Sequence, residues 1–140
     1  MQHPTKKMGR PYTLACQHCV QACNTCITAC DAVAEASTKE TQNQQAYTQC
    51  IAACKACIEA CKDCMQEAQR HIEECNDTDC KAVCAESIKK ADACIKQCDK
   101  LIRACELKQE DCAALAQECK ERCDECLEVC DRCMQVCNQL

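Results

Sequence analysis

The chain has 140 residues, 23 of them cysteine, and a formal net charge of −5. It is long enough for one buried core and too short for two, and its mixed charges offer no basic groove for nucleic acid. Leu, Ile and Val together number 18, with no Phe or Trp and two Tyr, so an ordinary aliphatic and aromatic core is excluded.

Residues 1–11 hold both prolines, Pro4 and Pro11, and the single glycine, and they read as a disordered tail. The opening MQHPTKKMGRPY lacks the apolar segment of a signal peptide, and no run approaches the roughly 20 apolar residues of a membrane span. With Met1 as initiator, a cytoplasmic location is expected, where thiols stay reduced and dense cysteine points to metal more than to disulfides.

Beyond Pro11 the cysteines keep helical time. In the first predicted helix, about 12–36, Cys16, Cys19, Cys23, Cys26 and Cys30 step by three and four residues. Such steps place every thiol on one face of a helix that turns once per 3.6 residues. ASTKETQNQ then loses the pattern, and Ser37 with Glu40 has capping-box spacing for a second helix, about 40–74. Its stripe holds Cys50, Cys54, Cys57, Cys61 and Cys64, followed by Ala68, His71 and Cys75.

Asn76, Asp77 or Thr78 can cap a third helix, about 78–106, with the diluted stripe Cys80, Cys84, Ser87, Ala91, Cys94, Cys98, Leu101 and Cys105. The fourth, about 110–138, carries Cys112, Cys119, Cys123, Cys126, Cys130, Cys133 and Cys137. No Gly or Pro interrupts LKQED at 107–111, but the heptad phase slips there. A continuous helix would turn the fourth stripe away from the third, so a turn is expected.

Beside each stripe, at heptad position e, stand Val20, Ile27, Ile51, Ile58, Met65, Ile72, Ile88, Ile95, Ile102, Leu127 and Met134. Three apolar positions in seven is the face of a globular bundle helix. The expected fold is therefore all-α: an antiparallel up-down four-helix bundle over residues 12–140 with a cysteine-lined core.

Thiols one helical turn apart have Cβ atoms roughly 5–6 Å apart, too far for a disulfide but close enough for one metal held between two sulfurs. Iron–sulfur motifs are absent, and a structural zinc ion would not need a contiguous lining. Cu(I) is soft, takes two or three thiolates and shares sulfurs with neighbouring ions, which suits a column of thiols. The absence of any C-C or C-x-C pair sets the chain apart from metallothioneins. Cysteine used merely as a small hydrophobe would not explain so many in phase.

The segments CQHCVQACNTCITAC, CIAACKACIEACKDC and CKERCDECLEVCDRCMQVC resemble those of the bacterial copper storage proteins, over about residues 12–138. That resemblance, closest to the cytosolic branch, implies a bundle whose core takes up many Cu(I) ions through cysteine thiolates, and assembly of bundles into a tetramer. Ser87, Ala91 and Leu101 depart from the pattern on the third stripe. The expected partners are copper ions and a copper donor or acceptor protein, with neither nucleic acid nor membrane.

All 23 cysteines are candidate ligands, with His71, Met65 and Met134 as candidate end ligands, although packing is an equal or better use for these three. His18 falls on an outward position and His3 in the tail. No catalytic arrangement stands out, so no enzyme is expected. Alternatives are a structural bundle held by disulfides, zinc or cadmium, and a thiol redox buffer, which would need exposed cysteines of low pKa.

Overall fold

The computed structural model describes residues 8–35 and 40–138. They form four helices and no strand: α1 (Arg10–Ala34), α2 (Glu40–Glu74), α3 (Thr78–Glu106) and α4 (Cys112–Asn138). Each helix packs on its chain neighbours and α1 closes the ring against α4, while neither diagonal pair of backbones meets. This is the antiparallel up-down four-helix bundle with a cysteine-lined core. No described helix is long and apolar enough to cross a membrane.

The helix bounds follow local chemistry. α1 begins at Arg10, inside the segment expected to be tail, because Pro11 in a first turn suits a helix: its fixed φ is already helical and its missing N–H would have no partner there. Met8 and Tyr12 are buried and hold that start against the bundle. Residues 1–7 and the expected Ser37–Glu40 capping box lie outside the described side chains. At α3 the Asp77 carboxylate accepts the Cys80 N–H at 2.8 Å, so Asp77 is the cap among the three candidates.

The turn at 107–111 is real and needs no glycine. Lys108 takes φ 51°, donating its N–H to the Cys105 carbonyl at 3.3 Å, while Gln109 N–H reaches back to Ala104 at 3.0 Å. These two bonds make a Schellman ending, whose left-handed residue is usually glycine. Lys108→Gly is expected to stabilise the fold by about 1 kcal/mol, as read by chemical denaturation, since a Cβ in that region is penalised by roughly that amount.

Every one of the 23 cysteines is buried. The e-position side chains flank them half-buried, with Ile102 fully inside. Among the described residues three ion pairs tie helices together on the outside: Lys90–Glu125 and Arg132–Glu86 between α3 and α4, and Lys120–Asp31 between α4 and α1. Partly exposed pairs of this kind contribute little free energy. The burial of the thiol face carries the fold.

Candidate metal centre

Cysteines from all four helices converge on the bundle axis. Across helices, sulfurs stand at 3.8 Å for Cys19–Cys61, 3.6 Å for Cys19–Cys126, 3.8 Å for Cys23–Cys57 and 3.7 Å for Cys57–Cys94. Further along are Cys94–Cys123 at 3.6 Å, Cys26–Cys54 at 3.7 Å and Cys98–Cys119 at 3.6 Å. Within a helix, Cys26–Cys30 and Cys50–Cys54 stand at 3.9 Å and Cys57–Cys61 at 4.0 Å. Metal–sulfur bonds of about 2.3 Å would put two sulfurs about 3.8 Å apart at the tetrahedral angle and about 4.0 Å apart in a trigonal plane. The thiols already have the spacing of ligands.

Four-residue groups whose sulfurs all lie within 4.8 Å of one another include Cys19, Cys23, Cys61 and Cys126; Cys23, Cys57, Cys61 and Cys94; Cys26, Cys57, Cys98 and Cys123; and Cys26, Cys30, Cys54 and Cys119. Cys23, Cys26, Cys57 and Cys61 each belong to two of these, so the groups form a chain of shared sulfurs. These cysteine clusters can bind metal ions.

The thinned third wall is also visible. Ser87, Ala91 and Leu101 are buried at thiol positions, and Ser87 Oγ stands 3.9 Å from Cys64 Sγ. Beside this gap the other three walls keep the sulfur path, with Cys16–Cys64 at 3.9 Å and Cys64–Cys130 at 3.7 Å.

Crowding decides protonation. Cys61 is pushed well above the ordinary thiol range by hydrogen bonds to Cys126 and then Cys19, with burial adding to it. Cys98 is pushed up by Cys119 and Cys123, and Cys123 by Cys119 and Cys23. Cys119 is held low, because Cys123 and then Cys26 hydrogen-bond to it. Neighbouring sulfurs thus shift one another in opposite directions, and burial disfavours further charge.

One end of the bundle differs from the column. His71 on α2 is buried, and its Nε2 stands 3.0 Å from Cys80 Sγ at the start of α3. Burial lowers its pKa against the opposing pull of Glu74, so the imidazole is neutral at pH 7. Cys84 lies 3.7 Å from Cys137, and Tyr12 donates its O–H to Cys84 Sγ at 3.2 Å. His71, Cys80, Cys84 and Cys137 form a further group within 4.8 Å. A solvent-open cleft of about 120 Å³ leads to His71 between Pro11, Tyr12, Glu67 and Glu74.

Cys80 and Cys137 are joined as a disulfide between α3 and α4, Cα atoms 5.2 Å apart, whereas the other 21 cysteines are free thiols. The sequence excluded disulfides only within a helix, where geometry forbids them; a pair facing across two helices meets no such bar. Cys75 turns to its loop, its sulfur accepting the Asp77 N–H at 3.4 Å.

Met65 and Met134 are half-buried and packed against the buried core. His18 is exposed, as its phase required, and His3 lies outside the described residues. Tyr12 was missed as a site residue, although it stands four residues before Cys16 and so continues the first stripe.

Fold and site together define a helical bundle with a thiol-lined core whose cysteine groups could hold metal ions. No protein family, curated protein or solved structure matches the chain.

Proposed function

We propose that this protein stores Cu(I), many ions to a chain, on the cysteine thiolates inside its bundle. One observation carries the reading: thiols from four helices stand 3.6–4.0 Å apart in groups that share members. A carrier of one structural ion needs a single closed set of four ligands; shared sulfurs suit a soft monovalent ion that accepts two or three thiolates and tolerates bridging.

Charge favours the same ion. Each thiolate pair around Cu(I) leaves one negative charge, and sharing of sulfurs between ions reduces it further, so a dry core can be filled without accumulating charge. Uptake displaces a proton from each thiol that becomes a ligand. The reading carries with it a reducing cytoplasm, a protein that donates or accepts copper, assembly of bundles into a tetramer as the family resemblance implies, and no catalytic role.

The direct test is an anaerobic competition titration of the reduced protein against a Cu(I) chelator, with free thiols counted in parallel. Several ions should bind per chain, and reactive thiols should disappear in step with copper. Thiols that remain fully titratable at saturating Cu(I) would refute storage. The Cys80–Cys137 pair favours a second reading, a bundle pinned by a disulfide, which accounts for two cysteines and leaves the other 21 unexplained.

A further inference from the structure

We propose that His71, Cys80, Cys84 and Cys137 form a separate site for a single zinc-class divalent cation at the α2–α3 end of the bundle. The site takes one imidazole nitrogen from α2, two sulfurs from α3 and one from α4, all mutually within 4.8 Å. Four donors around one point are the closed Cys3His set that suits tetrahedral Zn2+, whereas the column offers sulfur alone in shared groups.

Charge separates this site from the column too. Three thiolates leave −1 around a dication but −2 around Cu(I), and a second buried negative charge is expensive. The Tyr12 hydroxyl, 3.2 Å from Cys84 Sγ, offsets part of the remaining charge. On the α3 wall the next two stripe positions inward, Ser87 and Ala91, carry no sulfur, so along that wall the end site stops short of Cys94, while on α4 Cys133 lies beside Cys84. The cleft beside His71 gives a hydrated cation an access route past Glu74 and past Glu67, the latter paired with Arg70 at 3.0 Å.

The disulfide sets the condition for filling the site. Two of the four donors are bonded to each other between α3 and α4. A dithiol reductant must first transfer two electrons and two protons to them, becoming a disulfide itself, and the freed thiols then release protons as they ligate the ion. The end site is thus available in the reduced protein and closed in the oxidised one. None of this depends on copper storage.

Co(II), the spectroscopic substitute for Zn2+, tests the proposal on the full chain, reduced and anaerobic. The first equivalent should give the visible ligand-field bands of a tetrahedral ion with mixed nitrogen and sulfur donors, and Zn2+ should displace it. His71→Ala should weaken that equivalent by at least about 100-fold, since even outer-shell partners are worth 10–100-fold. His18→Ala, an exposed histidine outside both sites, should leave it unchanged, and the oxidised protein should not bind it.

Should His71→Ala lose helicity, X-ray absorption on the wild type loaded with one Zn2+ answers the same question. One nitrogen and three sulfur neighbours support the site; four sulfurs, or a first equivalent indifferent to His71→Ala, overturn it. Cu(I) titration of the same samples keeps the two readings apart. If Cu(I) fails to load while the first Co(II) equivalent still requires His71, storage falls and the end site stands.

Discussion

Loading the reduced protein with Cu(I) under anaerobic conditions should raise its melting temperature by more than about 10 °C, with the gain growing as further ions enter. One site filled at a thousand times its dissociation constant stabilises the native state by about 4 kcal/mol, and a domain of this size gains about 2–4 °C per kcal/mol. The effect is large because the apo core is weakly bound: cysteine buries little apolar surface and makes only weak S–H hydrogen bonds. Metal replaces these with coordinate bonds that link helices distant in sequence, as in Cys19–Cys126 and Cys26–Cys119. Calorimetry with and without Cu(I) checks it; equal melting temperatures would show that the ions bind outside the core.

Alkali should unfold the apo protein and spare the loaded one. Cys61, Cys98, Cys123 and Cys30 are all held above the ordinary thiol range in the folded state, each by neighbouring sulfurs first and burial after. A raised folded pKa means that the native state keeps protons the unfolded chain gives up. Its contribution is therefore complete below the unfolded thiol value, roughly pH 8.5, and is lost as pH rises above it. Each such thiol removes about 1.4 kcal/mol per pH unit, so three or four together remove about 4–6, against a total stability of about 5–15 kcal/mol.

The apo bundle is expected to lose its helical circular dichroism between about pH 9 and 11 under anaerobic conditions. Sulfurs already deprotonated on Cu(I) have no proton to lose, so the loaded protein should keep its signal through the same range. An apo protein still fully helical at pH 11 would mean that its thiols ionise in place, and that the core admits water.

Much of this was legible in the one-dimensional spacing. Steps of three and four fix which face of a helix each cysteine occupies, and a face that must be buried leaves few ways to arrange four helices joined by short turns. The slip of phase at 107–111 marked a turn that composition alone would not, and Lys108 in a left-handed conformation is how the chain makes it without glycine. α1 begins at Arg10 rather than near Tyr12, because Pro11, which composition groups with the tail, belongs in a helix's first turn.

The sequence by itself determined that the core is sulfur, that it is lined from four sides, and that His18 points away from it. Periodicity is a local property, and it survives folding unchanged. Only the tertiary structure decided which sulfurs meet. Register between helices sets Cys57 against Cys23 and Cys94, places Tyr12 on Cys84, joins Cys80 to Cys137, and brings His71 beside Cys80 to make one end of the column chemically unlike the rest. Such contacts depend on axial offsets of a few ångströms between helices, which loops and side-chain packing fix together and no single stripe encodes.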